Sequence, residues 1–146
     1  IVEIEGIKIF HYCGGLNFAN SSYFKSQVFE MIGILPQKVL KIRAKRLKNA
    51  HYPVPQDDNA RDKELNCIIM DMSALSYVDP SGIKMLHAIA DEYTSIDIDV
   101  YLAACSAPVY ESIVKCDKFA KGEHSFRIFA TINDAVTYAC DKFVSS

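Results

Sequence analysis

The sequence predicts an α/β domain built on a largely parallel β-sheet, and two observations indicate this class. From Asn66 onward, strand-like and helix-like segments alternate at regular lengths, which is typical of strands joined by crossover helices. The run Cys67–Met70 is continuously apolar, as expected for a strand that is covered on both faces. At 146 residues the chain is long enough to bury a core, so we expect a single domain over residues 1–146.

The first strands are predicted from the alternation of apolar and polar residues. Residues 6–12 alternate in this way and indicate a strand, and the preceding residues 1–5 are strand-like as well. Gly14 and Gly15 are expected to break the strand, and residues 16–19 are expected to form a short paired strand.

Two helices are predicted to follow these strands. A capping residue within residues 20–22 starts the first helix, which runs to about Met31 and is ended by Gly33. Pro36 opens the second helix, because proline is well suited to the first helical position, and this helix extends to about Asn49.

A polar segment separates these helices from the second half of the chain. His51–Glu64 contains two prolines, mixed charges and few apolar residues, and it is predicted to be a loop. Thr131 or Asn133 is a suitable cap for the last helix. The predicted order after the loop is strand 67–72, helix 80–94, strand 98–103, helix 107–117, strand 126–129 and helix 132–143.

Composition narrows the classes of function. A formal net charge of −2 gives the chain no overall attraction to nucleic acid or to an anionic membrane. No apolar run approaches the roughly 18 residues that a membrane span needs. The five cysteines show no CxxC spacing and the four histidines are scattered, so we expect reduced thiols and no metal site. Because the chain starts with Ile1 inside a strand-like run, we interpret it as part of a longer protein.

The most informative segment is the predicted helix start at Asp79-Pro80-Ser81-Gly82. The Asp79 carboxylate suits a cap, and Pro80 suits the first helical position, where its missing amide hydrogen costs nothing. Ser81 then lies at the positive end of the helix dipole, where a phosphate or small anion is stabilised. Ser73 is a further candidate hydroxyl near the carboxyl edge of the sheet, where ligands of open α/β sheets usually bind. Both serines also have a purely structural interpretation, as residues of a strand end and of a helix start.

The candidate segment has no evident catalytic apparatus. His87 lies about one and a half turns beyond Ser81 on the same helix and points away from it, so the serine has no positioned base. No glycine-rich loop with Lys-Ser or Lys-Thr is present, and Gly14-Gly15 is too short for a dinucleotide fingerprint. A receiver domain would need an acidic pair where this chain has His11–Gly14. We therefore expect no enzymatic activity and no cofactor.

The helix after Pro36 is strongly basic. Val39, Leu40, Ile42 and Leu47 are predicted to form its partial apolar face. Two interpretations remain open: a solvated surface face, or a patch that contacts anionic lipid head groups or an acidic partner. The basic residues of this patch are Lys38, Lys41, Arg43, Lys45, Arg46 and Lys48.

Several stretches resemble a known family. Asp71–Ile83 resembles the signature of STAS domains, which include bacterial anti-sigma-factor antagonists and the cytosolic carboxyl-terminal domains of sulfate-permease-type anion transporters. Gly6–Cys13, Leu16–Lys25 and the helix that Pro36 opens are similar to the animal transporter branch that includes pendrin and prestin. Pro80 departs from the family pattern, in which a small hydroxyl residue usually occupies this position.

The resemblance implies a STAS fold with a mixed sheet flanked by helices. It also implies a non-catalytic role as the regulatory and dimer-stabilising domain of a membrane transporter for chloride, sulfate, bicarbonate, oxalate or iodide. The implied partners are the transmembrane domain of the same transporter, a second protomer and, as further candidates, other channel or scaffold domains, with no nucleic acid. The implied location is the cytosolic side of a membrane, and the plasma membrane is the first candidate.

The helix start and the same resemblance together imply an alternative, in which the chain is a sensing or switch domain that acts through Ser81. Anion or nucleotide sensing is suggested by the position of Ser81 at a helix amino terminus and by the resemblance to STAS members that bind nucleotides. A phospho-switch is suggested because, in the bacterial antagonists, the serine that matches Ser81 is phosphorylated. Animal members usually carry a long variable insertion before the strand that begins near Cys67. We therefore expect His51–Glu64 to be the site of a shortened or deleted insertion.

Overall fold

The computed structural model describes residues 2–48, 65–119 and 126–143, so the predicted loop and insertion site at His51–Glu64 lie outside the described residues. Within these described residues, five strands form one mixed sheet in the order β1-β2-β3-β4-β5. β1 pairs antiparallel with β2, and the other three pairs are parallel, which confirms the predicted class. The strands are β1 Val2–Ile4, β2 Gly6–Leu16, β3 Leu65–Val78, β4 Asp99–Ala103 and β5 Arg127–Phe129.

The predicted helices are confirmed in the part of the chain that the structure describes. They are α1 Ser21–Ile32, α2 Pro36–Lys48, α3 Pro80–Thr94, α4 Ala107–Phe119 and α5 Ile132–Phe143. Because the parallel strands follow one another in sequence, right-handed crossovers place the connecting helices on one face of the sheet. The other face is covered by α5.

The core lies on both sides of β3. Ile68 and Met70 are fully buried on the face covered by α1, α3 and α4. Cys67 and Ile69 are fully buried on the face covered by α5. Successive residues of a strand point to opposite faces, so a strand with two covered faces is apolar at every position. This explains the continuous apolar run in the sequence.

β2 does not end at Gly14 and Gly15, and the prediction of a break there is wrong. The strand continues to Leu16 in irregular parallel register with β3. Gly14 has a φ of 118°, a backbone conformation that favours glycine. A β-carbon at Gly15 would overlap the ring of Tyr77 from β3. The two glycines therefore permit a bulged strand beneath an aromatic ring instead of ending the strand.

The predicted short strand at residues 16–19 is also wrong. β2 ends at Leu16, and residues 17–20 turn into α1. The Asn17 amide donates to Asn20 Oδ1 at 2.9 Å, so the Asn20 side chain stabilises this turn. Asn20 occupies the cap position of α1, but its side chain makes no hydrogen bond to the helix.

β3 extends beyond the predicted strand 67–72, because β2 pairs with it as far as Val78. Residues 73–78, which separate the predicted strand 67–72 from the predicted helix 80–94, are therefore part of the strand. Its polar side chains Ser73 and Ser76 are exposed, while Leu75 and Val78 are buried. Since β4 ends opposite Asp71, the last part of β3 is paired with β2 alone.

Candidate functional site

The end of β3 and the start of α3 form the candidate site, and Asp79 organises it. Its Oδ1 accepts a hydrogen bond from the Gly82 amide at 2.8 Å, and its Oδ2 accepts one from the Phe18 amide at 3.1 Å. The Asp79 amide donates to the Leu16 carbonyl at 3.1 Å. The predicted cap is confirmed, and the same carboxylate also fastens the turn after β2 to the helix.

Gly82 lies where α3 closely approaches the end of β2. A β-carbon at this position would be 2.8 Å from the Leu16 carbonyl oxygen and 2.9 Å from side-chain carbons of Leu16 and Val78. Leu16 and Val78 are themselves partners in the β2–β3 register. Helix-to-strand packing thus accounts for a glycine here, while a role for Gly82 in binding a ligand stays a prediction.

Ser81 is half-buried in the first turn of α3. Pro80 has no amide hydrogen, and the amides of Gly82 and Ile83 donate to Asp79. The Ser81 amide is therefore the first-turn donor that Asp79 leaves unbound. An anion at this helix end would meet this amide and the Ser81 hydroxyl, but it would also meet a carboxylate that already occupies the positive end of the dipole.

Ser73 lies in a different cluster. It precedes the end of β3 by five residues, which corresponds to about 16 Å along the strand. Its amide donates to Asp71 Oδ1 at 3.0 Å, and Asp71 Oδ2 lies 2.7 Å from His11 Nδ1. Burial raises the pKa of the Asp71 carboxyl, but hydrogen bonds from Ser73 and His11 outweigh burial and hold that pKa below its ordinary value. The structure therefore does not bring Ser73 to the helix start.

The basic patch divides into two sets. Arg43 is half-buried and faces the turn after α3, where it donates to the Ile96 carbonyl at 3.5 Å and lies 3.7 Å from the Asp97 carboxylate. Arg46 is also half-buried and makes contacts within the chain. The exposed members are Lys38, Lys41, Lys45 and Lys48. We call these four residues the lysine face.

Part of the predicted apolar face of α2 is exposed. Val39 and Leu40 pack against the core as predicted, but Ile42 is 50% exposed and Leu47 is 78% exposed. Ile42 follows Lys38 by four residues, so it adjoins the lysine face instead of the core. Leu47 precedes the last residue of the helix. Of the predicted partial apolar face, only Val39 and Leu40 therefore pack against the core.

Other reactive groups of the described chain are engaged elsewhere. Within residues 2–48, 65–119 and 126–143, no group of three or more His, Cys, Asp or Glu residues could hold a metal ion. His87 stacks on Phe126 with ring centroids 4.4 Å apart. Burial raises the pKa of the Cys67 thiol and raises that of Cys105 to about 11, so both remain protonated at neutral pH.

Sequence reasoning missed the aromatic residues around the candidate site. Phe18 is 81% exposed although its amide is fixed to Asp79. Tyr77 is half-exposed, and its hydroxyl accepts a hydrogen bond from the Asn17 side chain at 2.5 Å. The sequence did carry a signal for the turn that contains Phe18. Asn17 and Asn20 are spaced as paired asparagines, which indicate a turn and not a strand.

A cavity of about 450 Å³ also escaped prediction. It lies beside the carboxyl ends of β4 and β5, the edge at which ligands of open α/β sheets usually bind. Its described lining carries no charged side chain and consists of Cys105, Ala107, Tyr110, Ile128, Phe129 and Ala130.

Known proteins resemble the chain over nearly its whole length. The family model of the STAS domain matches residues 1–135. The sulfate transporter of Ovis aries is 29% identical over 147 residues, which cover 94% of this chain and 20% of the transporter. Prestin of Mus musculus is 24% identical over 182 residues, which cover 93% of this chain and 24% of prestin. The chain thus spans about a fifth to a quarter of the length of these relatives.

Solved structures give the same picture. A structure of SLC26A9 superposes with a TM-score of 0.75 and 34% identity, over 97% of this chain and 21% of that one. An anti-sigma-factor-antagonist candidate from Thermotoga maritima superposes with a TM-score of 0.57 and 16% identity, over 92% of this chain and 88% of that one. At that identity the bacterial structure shows likeness of fold alone.

Proposed function

The chain belongs to the STAS domain family, and from that premise we propose that it is the cytosolic regulatory and dimer-stabilising domain of a membrane anion transporter. One observation carries the proposal: a sulfate transporter and prestin match nearly the whole chain with only about a fifth to a quarter of their own length. Transport of chloride, sulfate, bicarbonate, oxalate or iodide would then reside in the rest of the parent protein. Among the described helices, none combines the length and apolar character that crossing a membrane requires.

The proposed partners are other parts of the same assembly. They are the transmembrane domain of the parent transporter and a second protomer, at the cytosolic side of the plasma membrane, with other channel or scaffold domains as further candidates. We propose that the domain has no enzymatic activity of its own. Two observations at Ser81 support this. Both oxygens of the neighbouring Asp79 carboxylate accept backbone amides, and the one histidine of the same helix, His87, stacks on Phe126.

Removing this domain from the full-length parent protein tests the proposed role. We expect the truncated parent to lose most of its dimer fraction and to show several-fold lower anion flux, because the stabilising contacts are lost. Surface cross-linking and flux in the same cells measure both quantities. A parent that carries Lys84→Gln and Lys115→Gln, two exposed substitutions outside α2, should behave like the wild type. Unchanged dimer fraction and flux in the truncated parent would refute the proposal.

A second candidate function is anion sensing, nucleotide sensing or a phospho-switch through Ser81. It is favoured by the partly exposed Ser81 hydroxyl and by the Ser81 amide, which Asp79 leaves unbound at the start of a 15-residue helix. Asp79 and Gly82 would frame such a site. The capping carboxylate opposes it by like charge, so we rank it below the transporter role.

Titration of the labelled chain with sulfate, chloride and GTP tests this second candidate. If the helix start binds an anion, amide resonances of Asp79 and of residues 81–83 should shift at millimolar ligand, because the bound charge lies beside them. The Ser73 amide, which is held by Asp71 in a separate cluster, provides an internal control and should not shift. Constant amide resonances of Asp79 and of residues 81–83 would eliminate anion and nucleotide sensing at this site.

A further inference from the structure

We propose that the lysine face of α2 binds the surface of an anionic lipid bilayer. The proposal rests on the distribution of charge and not on its total. The whole chain has a formal net charge of −2, whereas the 13 residues of α2 include no acidic residue. Positive charge is therefore concentrated on one helix of an otherwise acidic chain.

The four lysines form one straight row. They are spaced by three, four and three residues, so at about 100° per residue they fall within an arc of about 80°. With a rise of 1.5 Å per residue, the row is about 15 Å long. All four side chains are exposed, and none forms an ion pair or side-chain hydrogen bond with another residue in the described ranges.

The opposite side of α2 fixes the direction in which this row points. Val39 and Leu40 pack against the core. Arg43 donates to the Ile96 carbonyl, and Tyr93 of α3 donates to the Ile34 carbonyl at 3.0 Å just before the helix begins. These contacts hold the helix from its start as far as Arg43, and in this position all four residues of the lysine face are exposed.

A bilayer fits this face better than an acidic protein does. Lysine ammonium groups are point charges on flexible stems and do not require the fixed geometry that a guanidinium fork favours. Ile42 is half-exposed beside the row, and an apolar side chain flanked by lysines can enter the head-group region while the ammonium groups reach the phosphates. The inference rests on the proposed function only in that the parent protein would place this domain beside a membrane.

Vesicle binding by the full 146-residue chain tests the inference. We expect the chain to bind vesicles of phosphatidylcholine that contain roughly a third of phosphatidylserine, and to bind less tightly as salt screens the charges. Vesicles of phosphatidylcholine alone should bind far less. Replacing Lys41 and Lys45 with Gln should weaken binding about 25-fold, since each lysine near an anionic surface contributes about fivefold.

A matched variant separates the lysine face from charge in general. Lys84→Gln with Lys115→Gln removes the same charge from exposed positions outside α2 and should change vesicle affinity by less than about twofold. Equal losses in the two double variants, or no binding to anionic vesicles at low salt, would overturn the inference. Thermal unfolding shows whether each variant is folded. A failure here would leave the regulatory role standing, because the truncation experiment on the parent protein measures that role independently.

Discussion

Replacing Gly82 with alanine is expected to lower the free energy of unfolding by about 2–3 kcal/mol. The added β-carbon would lie 2.8 Å from the Leu16 carbonyl oxygen and 2.9 Å from side-chain carbons of Leu16 and Val78. Leu16 is fully buried, and its carbonyl also accepts the Asp79 amide, so it has little freedom to withdraw. The higher helix propensity of alanine would stabilise the helix by only about 1 kcal/mol. The clash is larger, so the free energy of unfolding should fall.

Urea unfolding measures this change, and an unchanged m-value would show that stability and not compactness was altered. Ser81→Ala provides the matched control, because it changes the neighbouring half-buried residue without adding an atom to the helix-to-strand contact. We expect that control to remain within about 0.5 kcal/mol of the wild type. A Gly82→Ala protein as stable as the Ser81→Ala protein would show that α3 can move away from β2.

The helices and their ends were predictable because their signals are local. Gly33 ends α1 with a φ of 80°, as a glycine after a helix often does. Asp79 and Pro80 mark the start of α3 by residue type and position alone. Thr131 caps α5 by accepting the Asp134 amide at 3.0 Å. Each of these features depends on a few consecutive residues, which a single sequence displays.

The errors in the strands arise from contacts between distant parts of the chain. Gly14 and Gly15 have the composition of a strand break, but the ring of Tyr77 covers Gly15 from a strand 62 residues away. Rules that consider only neighbouring residues in the sequence cannot identify Tyr77 as the partner of Gly15. The end of β3 was likewise missed, because its exposed serines resemble a turn until β2 is seen to pair beside them as far as Val78.

For the candidate site, too, the local features were predictable from the sequence and the contacts between distant residues were not. The cap by Asp79 follows from local spacing, but its second bond to Phe18 joins residues far apart in sequence. The separation of Ser73 from Ser81 depends on the true length of β3. The division of the basic patch depends on Arg43 reaching the turn after α3, which the charge pattern of α2 does not reveal. The STAS fold, by contrast, was implied by the resemblance and is confirmed by the family match.

Replacing Asp79 with alanine is expected to lower the free energy of unfolding by about 2 kcal/mol. Loss of a capping side chain costs about 1 kcal/mol, and loss of the bond from the Phe18 amide to the same carboxylate adds about 1 kcal/mol. The effect should appear in two places, because one carboxylate serves both the start of α3 and the turn after β2. Amide hydrogen exchange should therefore quicken at both Gly82 and Phe18.

Asp79→Asn separates the two roles of this carboxylate. Its remaining carbonyl oxygen can still accept the Gly82 amide, but its amino group faces the Phe18 amide with a second donor. We expect about half of the alanine effect, with faster exchange at Phe18 and nearly unchanged exchange at Gly82. If exchange at Phe18 stayed slow in both variants, the bond between Asp79 and the turn would contribute nothing to stability.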